Sequence, residues 1–377
     1  MAEMDNKMRI VLLQGAFLPV PPVRGGAVEK IWDQLGRELV SQGHEVIHIS
    51  KKYPSLPDNE NKSGVKHVRV KGYEPPGRML VQMLMDFVYS WRAIRRIPRN
   101  ADVIVTNTFW SPVLLRGSRG RKVYVDVGRT PRGQMKYYKH VGRYRANSNP
   151  VADAIRAEIP VSVHNKVGMV PNPLPFNQTE KNLFTQKSKE ILYTGRIHPE
   201  KGIELLVEAF AGLGNKEWKL KIIGPWEVQT GGGGPEYIAK LKSLAGDTNV
   251  EFIDPIFNID ELNKHYRTAS VFVYPSLADK GETFGLAPLE GMAWGCVPVV
   301  SAIPCFQDFI VPGVNGMVFD HHTPDRVQML AAKLEQLIAD PQLRERISGE
   351  AIKVNGSHSI SAVARMFIED FKKLQHE

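Results

Sequence analysis

Residues 275–300 read PSLADKGETFGLAPLEGMAWGCVPVV, and this stretch decides the fold. The apolar run SVFVYPS leads into it, a glycine-containing loop follows, and a helix is predicted to begin near Phe284 or Gly285. The run VPVVS then forms a second strand. Short apolar strands separated by helices are typical of a parallel sheet covered on both faces. The stretch therefore predicts an α/β fold.

The same alternation extends in both directions along the chain. Its members are the predicted strands MRIVLLQ, EVIHIS, ADVIVTN, KVYVDVG, EILYTG, WKLKIIG and VEFI, and the predicted helices Ala27–Ser41 and GIELLVEAFAGL. The segment MVPNPLPFNQTEKN contains three prolines and is predicted to be a linker. We therefore predict two α/β domains, residues 1–173 and 174–357, and a last helix within residues 358–377.

Composition excludes several classes of protein. With 377 residues, 42% hydrophobic and 24% charged, the chain is neither disordered nor fibrous. Cys296 and Cys305 are the only cysteines, which excludes a disulfide scaffold and a Cys-based zinc cluster. Their apolar surroundings predict buried, inert thiols. Glu3 and Asp5 precede the first apolar run, so we expect a strand there rather than a signal peptide, and a cytoplasmic protein.

The net charge of +9 is unevenly distributed. Residues 1–173 carry 28 Lys and Arg against 14 Asp and Glu, whereas the remainder carries 21 against 26. A basic half joined to a mildly acidic half indicates two domains with different partners. The basic half suits an anionic partner, which is a nucleic acid, a membrane surface or an anionic substrate.

Two glutamates in the opening stretch are candidate ligand-binding residues. Glu282 lies in the loop and Glu290 in the following helix. A carboxylate accepts hydrogen bonds from paired hydroxyls, so each suits the vicinal diol of a hexose or a ribose. The free N–H groups at the start of the helix favour a phosphate, and Gly281 and Gly285 allow the backbone to approach a ligand.

A second motif, TGRIHPEKG, occupies residues 194–202 between a strand and a helix. It places Arg196 and Lys201 on a loop at the carboxyl end of a strand. Both side chains can reach a diphosphate there, and fixed cations stabilise a diphosphate as it leaves. A third motif, VRGGAVEK, has Gly25 and Gly26 just before a helix, which again predicts an anion site, with Arg24 as a companion.

Together these motifs resemble the retaining nucleotide-sugar glycosyltransferases of family 4, which have the GT-B fold. The resemblance covers about residues 190–320 and includes the glutamate pair, NVEFIDP and VNGMVF. It implies two Rossmann-like domains whose parallel sheets face across a cleft, with an acceptor-binding first domain and a donor-binding second one. It also implies that the last helix crosses back to the first domain.

The resemblance assigns roles residue by residue. Arg196 and Lys201 match the pair that binds the diphosphate. Glu282 matches the glutamate that faces the donor sugar, and Glu290 the one that holds the ribose. The backbone over Thr283, Phe284, Gly285 and Leu286 matches the segment that contacts sugar and phosphate, and Gly25 and Gly26 match the loop near the donor phosphate. No metal is implied, and the sequence shows neither an Asp-x-Asp motif at a strand end nor a metal-ligand cluster.

One feature of the family is missing from the first domain. Many relatives have a histidine on a strand-end loop there, whereas VIVTNTFWSP and VYVDVGRTP contain none. Asn107 and Asp126 lie near the expected place. Asp126 is a candidate to orient or deprotonate the acceptor, and a turn-capping role or a pair with Arg129 is an equal alternative. Trp110 is a candidate for stacking on an acceptor sugar or for ordinary packing.

The basic clusters at residues 91–99, 116–122 and 129–145 allow two interpretations. The first cluster ends the apolar segment MLVQMLMDFVYS, which suits either peripheral contact with an anionic membrane or a buried crossover helix with a solvated end. We expect no nucleic-acid partner, because no recognised binding motif accompanies the charge.

The resemblance thus implies metal-independent transfer of a hexose from a nucleoside diphosphate sugar, by family frequency a UDP-sugar such as UDP-glucose. We expect the acceptor to be a saccharide or a lipid-linked intermediate of envelope or exopolysaccharide synthesis. A non-catalytic sugar-nucleotide-binding or scaffolding subunit is the alternative that the missing histidine keeps open, and a sugar-nucleotide epimerase is a further alternative.

Overall fold

A computed structural model describes residues 7–180 and 183–376. Glu3, Asp5 and the last two residues of the predicted linker lie outside the described residues. The chain forms two compact units. The first comprises Met1–Pro175 with His358–Glu377, and the second comprises Phe176–Ser357, so the division falls two residues beyond the predicted boundary. The last helix belongs to the first unit.

The strands alternate with helices along the described chain. The strands are β1 (Arg9–Leu13), β2 (Glu45–Lys51), β3 (Asn59–Lys62), β4 (Val65–Val70), β5 (Val103–Thr106), β6 (Val123–Val127), β7 (Arg143–Ala146), β8 (Val167–Met169), β9 (Ser188–Thr194), β10 (Lys219–Ile223), β11 (Val250–Ile253), β12 (Ala269–Tyr274), β13 (Val297–Ser301) and β14 (Met317–Phe319).

The helices are α1 (Ala27–Ser41), α2 (Met79–Ile94), α3 (Trp110–Leu114), α4 (Asn149–Glu158), α5 (Ile203–Gly212), α6 (Pro235–Ala245), α7 (Ile259–Thr268), α8 (Leu286–Ala293), α9 (Arg326–Ala339), α10 (Pro341–Ala351), α11 (Val354–Ser357) and α12 (Ile360–His376). Within the described ranges, none of these helices is long and apolar enough to cross a bilayer.

The first unit contains an eight-stranded sheet in the order β3-β4-β2-β1-β5-β6-β7-β8. All pairs are parallel except β3 with β4. The order runs from β1 outward in both directions, through β2 on one side and β5 on the other. The carboxyl ends of β1 and β5 therefore flank a topological switch point, where ligands bind in open α/β sheets.

The second unit contains a six-stranded parallel sheet in the order β11-β10-β9-β12-β13-β14. Its switch point lies between β9 and β12, which pair in parallel with Leu192 beside Phe272. Apolar side chains on these central strands are fully buried, as Ile191 and Val271 show. The predicted α/β fold is thus confirmed.

Sequence patterns located the longer apolar strands but missed five strands that are either short or rich in polar residues. The strands β3, β4, β7, β8 and β14 were not predicted. Arg143–Ala146 reads RYRA, and its two arginines belong to the basic cluster at residues 129–145. In the structure all four of its residues are buried, because the neighbouring elements supply carboxylates to its arginines.

Helix α12 supplies one of these carboxylates and covers one face of the first sheet. Phe367 on α12 packs against Trp32 and Tyr124 with ring centroids 5.0 and 6.1 Å apart. The Asp370 carboxylate lies 2.9 Å from the Arg143 guanidinium and accepts a 2.8 Å hydrogen bond from the Tyr124 hydroxyl. This arginine therefore belongs to the interior of the first unit and not to a basic surface.

Helix α2 has the opposite character. Its apolar residues Leu80 and Leu84 are 82% and 64% exposed, and Met79 and Trp91 are exposed as well. The interpretation of this segment as a buried crossover helix is therefore wrong for its first half. Only Tyr89, Ser90 and Ala93, near its end, are buried against the sheet.

We expect Asp370→Ala to lower the free energy of unfolding by about 3–5 kcal/mol, the usual cost of removing one partner from a buried ion pair. The variant removes the carboxylate that faces both Arg143 and Tyr124. Equilibrium urea unfolding measures the change. Glu369→Ala, on the exposed face of the same helix, is the control and should change stability by less than about 1 kcal/mol. Equal effects of the two variants would contradict the assigned role of Asp370.

Candidate functional site

Two loops meet at the switch point of the second unit. One follows β9 and carries Arg196 and Lys201, and the other follows β12 and carries Glu282. The backbone N–H of Leu277 donates to the Glu200 carbonyl at 2.8 Å, which ties the loops together. The structure thus brings Lys201 and Glu282 into one site although 81 positions separate them.

Lys201 and Glu282 form a largely buried ion pair. Their side chains are 10% and 9% exposed, and the Lys201 ammonium contacts Glu282 Oε1 directly. The same carboxylate oxygen accepts hydrogen bonds from the Tyr274 hydroxyl at 3.0 Å and the Ser276 hydroxyl at 3.2 Å. Three donors therefore fix the Glu282 side chain, which is the kind of preorganisation that a binding site requires.

The environment keeps Tyr274 in its protonated form. Burial, reinforced by the Glu282 carboxylate, raises the pKa of Tyr274 well above its usual range. Its hydroxyl therefore remains a hydrogen-bond donor at all physiological pH values. Its ring also lies 5.5 Å from the Lys201 ammonium, so it contacts both members of the ion pair.

The loop then turns into α8 through Gly285. Helix α8 begins at Leu286, close to the predicted start, and Gly285 before it has a φ of +95°. A Cβ atom at Gly285 would lie 2.4 Å from Cε1 of Phe306, so both conformation and space require glycine. The Phe284 side chain is buried against Phe309, and Thr283 and Leu286 are half-buried on either side of the turn.

Glu290 lies on the second turn of α8 in a different environment. Its Oε2 accepts a 2.9 Å hydrogen bond from the Tyr266 hydroxyl. The same hydroxyl lies 2.6 Å from Thr194 Oγ1 at the end of β9. Burial, followed by the effect of Glu290, raises the pKa of Tyr266 well above its usual range, so Tyr266 also stays a donor.

The two residues that are predicted to bind the diphosphate differ in burial. Lys201 is buried, whereas the Arg196 side chain is 44% exposed. Arg196 donates to the Gly231 carbonyl at 2.8 Å and to Glu200 Oε1 at 2.6 Å. Arg196 is thus positioned by exposed polar contacts, and Lys201 by the buried cluster.

The switch point of the first unit opens into a pocket of about 340 Å³. Asn107 and Trp110, which follow β5, line it together with Gln82 and Asp86 of α2 and Glu29 of α1. Amide, carboxyl and aromatic groups around one cavity suit a polar ligand with several hydroxyls. Glu29 and Asp86 were missed in the sequence, because Glu29 is one of three acidic residues of its predicted helix and Asp86 is the single acidic residue of an apolar segment.

The glycine pair precedes α1 as predicted. Gly26 has a φ of +100°, and a Cβ atom there would lie 2.1 Å from Glu29 Oε2. The Glu29 carboxyl therefore lies beside the start of the helix, where the sequence predicted an anion. Burial raises the pKa of Glu29. Arg24 forms an exposed pair with Glu74.

Asp126 is held by two partners that the sequence did not predict. Its Oδ1 pairs with the Arg145 guanidinium at 2.8 Å, and its Oδ2 accepts a 2.7 Å hydrogen bond from the indole of Trp32. The predicted alternative of a pair with Arg129 is therefore wrong, since Arg145 takes that position. With both oxygens engaged inside the unit, Asp126 is a structural residue in this conformation.

Trp110 packs within the first unit. Its indole N–H donates to the Met83 carbonyl at 2.8 Å, and its ring meets Phe87 and Phe109 edge to face. It nevertheless lines the pocket, so its two predicted roles are compatible. The thiols of Cys296 and Cys305 are both free and buried, as expected.

Residues 176–354 match the family model of the glycosyl transferases group 1. The second unit is a glycosyl transferases group 1 domain. A D-inositol 3-phosphate glycosyltransferase of Streptomyces bingchenggensis is 32% identical over 165 residues, which are 42% of this chain and 35% of that protein. The chain thus spans little more than a third of the length of this curated relative.

Solved structures resemble both units. Sucrose-phosphate synthase of Thermosynechococcus elongatus has a TM-score of 0.77 at 20% identity, over 98% of this chain and all of that one. HepE of Anabaena, in complex with UDP and glucose, has a TM-score of 0.67 at 16% identity over 96% of this chain and 98% of that one. The fold is GT-B.

The sequence missed the donors around the two glutamates of the group 1 domain. Tyr274 is the last residue of β12, and Ser276 lies in the loop that follows it. Tyr266 lies in the last turn of α7. The sequence contained a signal for Tyr274 and Ser276, because residues at the carboxyl end of a central strand face the switch point.

The sequence also gave no metal-ligand cluster, whereas the structure brings Asp279, His321 and His322 together. The sequence did not predict this cluster because 42 positions separate Asp279 from His321.

We expect the Asp86 carboxyl to titrate near pH 6. Burial raises its pKa to about 6, against opposing hydrogen bonds from the N–H groups of Trp110 and Phe109. The unfolded carboxyl titrates near 4, so between about pH 4 and 6 only the folded state holds the proton. The stability of the wild type should therefore fall as pH rises through this window and then level off.

Asp86→Asn isolates this effect, because its amide does not titrate. The wild type should lose roughly 2–3 kcal/mol relative to the variant between pH 4 and pH 7, as measured by urea unfolding at each pH. A constant difference between the two proteins over this range would show that Asp86 titrates normally.

Proposed function

We propose that the chain is a retaining glycosyltransferase that moves a hexose from a nucleoside diphosphate sugar to a saccharide or lipid-linked acceptor. One observation carries the proposal. It is the buried Lys201–Glu282 pair, beside the start of α8, at the switch point of a group 1 domain. A stable fold does not need a buried ion pair, since well-packed apolar residues serve stability equally well.

In this proposal Lys201 and Arg196 bind the diphosphate. The leaving diphosphate gains negative charge as the glycosidic bond breaks, and two fixed cations stabilise that charge. The N–H groups at the start of α8 add a partial positive charge in the same region. We propose that this reaction needs no metal at the diphosphate, because the chain supplies its positive charge.

The two glutamates bind the rest of the donor. Glu282 receives hydroxyls of the sugar, and the Tyr274 and Ser276 hydroxyls hold its carboxylate in place. Glu290 receives the ribose diol and is oriented by Tyr266. We take UDP-glucose as the first donor to test, since the similar fold of HepE is seen with UDP and glucose.

The pocket of the first unit is the proposed acceptor site. Asn107, Gln82, Asp86 and Glu29 offer hydrogen bonds to hydroxyls, and Trp110 adds an aromatic wall. No histidine is required there if the departing phosphate accepts the proton of the acceptor hydroxyl. We assign no catalytic role to Asp126, because Arg145 and Trp32 occupy its carboxylate.

The donor proposal is tested by release of nucleoside diphosphate from UDP-, GDP- and ADP-sugars in the presence of EDTA. We expect release from one donor, and a fall of about 10²–10³-fold in Lys201→Met and Glu282→Gln. Calorimetry with the free nucleoside diphosphate should show weakened binding in Lys201→Met. Exposed residues of α6 give the matched controls Lys242→Ala and Glu236→Ala, which should behave as wild type.

Circular dichroism checks that the buried-pair variants are folded. If no donor binds to the wild type, the transferase proposal fails and a scaffolding subunit becomes the better explanation. If Lys201→Met and Glu282→Gln both still release nucleoside diphosphate at the wild-type rate, the donor site lies elsewhere in the chain. Conversion of the donor sugar without any acceptor would instead indicate an epimerase.

We further propose that α2 places the enzyme on the cytoplasmic face of an anionic membrane, where a lipid-linked acceptor of envelope or exopolysaccharide synthesis resides. Met79, Leu80 and Leu84 form its exposed apolar surface. A cavity of about 550 Å³ beside the end of α2 is lined by cationic groups, and among the described residues of its lining Asp58 alone is acidic. These cations are Lys52, Arg69, Lys71, Arg92, Arg95 and Arg96. Apolar side chains in the first half of a helix and a basic cavity at its end suit the acyl chains and phosphate groups of anionic lipids.

Vesicle sedimentation tests the membrane contact. Binding to phosphatidylcholine vesicles that contain phosphatidylglycerol should weaken at least tenfold in Leu80→Ser/Leu84→Ser, because both lost side chains enter the interface. Phe257→Ser removes an equally exposed apolar side chain from the second unit and should bind as wild type. If the α2 variant binds the vesicles as the wild type does, or if the wild type does not bind them, α2 is not a membrane-binding surface.

A further inference from the structure

Three side chains outside the proposed donor contacts converge at the carboxyl edge of the second sheet. Asp279 lies in the loop after β12, and His321 and His322 follow β14. The Oδ1 atom of Asp279 is 3.0 Å from Nε2 of His321 and 3.6 Å from Nε2 of His322. Each residue offers one ligand atom, and the three atoms lie within 4.8 Å of one another.

These separations fit a shared metal ion. Ligands at 2.0–2.2 Å from a tetrahedral ion lie about 3.3–3.6 Å from one another. The two distances to the Asp279 oxygen bracket that value. A hydrogen bond explains the approach of one imidazole to this carboxylate, but it does not explain why both imidazoles direct Nε2 toward the same oxygen.

The fold holds the His321 imidazole in place, whereas the His322 side chain is 62% exposed. The His321 side chain is 2% exposed. The His322 backbone N–H donates to Asp320 Oδ1 at 2.9 Å, and the two rings lie 4.0 Å apart. The His321 imidazole is therefore preorganised, which reduces the conformational entropy lost on metal binding.

We propose that Asp279, His321 and His322 form a binding site for a borderline transition-metal ion of the Zn²⁺, Co²⁺ or Ni²⁺ type. Imidazole nitrogens favour these ions, whereas Mg²⁺ and Ca²⁺ prefer oxygen donors throughout. Three protein ligands leave at least one position for water. The site is separate from the proposed diphosphate contacts and does not depend on the proposed transferase function.

The site has a direct structural consequence for the Glu282 loop. The Ala278 carbonyl accepts hydrogen bonds from the N–H groups of Gly281 and Glu282, at 2.8 and 2.9 Å. Asp279 lies inside this turn. An ion that joins Asp279 to the two histidines would therefore restrain the turn that carries Glu282.

Metal binding is measured directly, without an activity assay. The full chain is stripped with EDTA, dialysed and titrated with Co²⁺, followed by visible d–d absorption and by calorimetry with Zn²⁺. We expect one ion per chain, with affinity at least tenfold lower in Asp279→Asn and in His322→Ala. Asp279 and His322 are exposed, so these variants should fold normally, which circular dichroism checks.

Two matched variants separate this site from other metal-binding side chains. His265→Ala and Asp325→Asn change the same residue types in the second unit and should bind as wild type. Hydrogen exchange should also slow at residues 277–284 when Zn²⁺ is added to the wild type, and not in His322→Ala. Failure to bind an ion, or binding that Asp279→Asn and His322→Ala do not weaken, would overturn the proposal.

Discussion

The parallel pairing of β9 with β12 is the constraint on which the candidate donor site depends. It aligns the ends of two strands that lie far apart in the sequence, so that their loops begin at the same sheet edge. The chain continues from β9 to β10 on one side, while β12 occupies the other side, and the edge between them stays open. Lys201 and Glu282 are brought together by this arrangement.

Burial distinguishes the Lys201–Glu282 ion pair from the ion pairs on the surface. An exposed ion pair such as Lys189–Glu217 contributes little and is readily replaced by water. The Lys201–Glu282 pair is shielded, and hydroxyls of Tyr274 and Ser276 share the same carboxylate oxygen. Such an arrangement is costly to form without full hydrogen bonding. Its position at a switch point is the reason for the proposal that it binds a ligand.

The first unit uses buried charge in a structural role. Arg143 and Arg145 lie on β7, next to the edge strand β8, and are matched by Asp370 of α12 and Asp126 of β6. Part of the excess positive charge counted in residues 1–173 is therefore internal. A separate group of cations lines a cavity at the end of α2, the helix whose first half carries apolar side chains that the fold leaves exposed.

The sequence by itself determined the elements that carry strong periodicity. Helix α1 begins and ends as predicted, and β9, β12 and β13 are apolar runs that a buried parallel sheet requires. It also located the turn at Gly285 and the loop cations Arg196 and Lys201, because a short stretch of sequence is enough to recognise a glycine turn or the end of a strand. Strands such as β7 were missed, since their alternation contains arginines that only a distant carboxylate makes compatible with burial.

The tertiary structure alone decided which side chains meet. Asp126 pairs with Arg145 rather than with Arg129, Glu29 and Asp86 share a pocket, and two histidines face Asp279. Strand order and register set these contacts between residues that are far apart along the chain. Local sequence patterns specify helices, strands and turns, but the pairing of distant charges depends on packing that no short stretch contains.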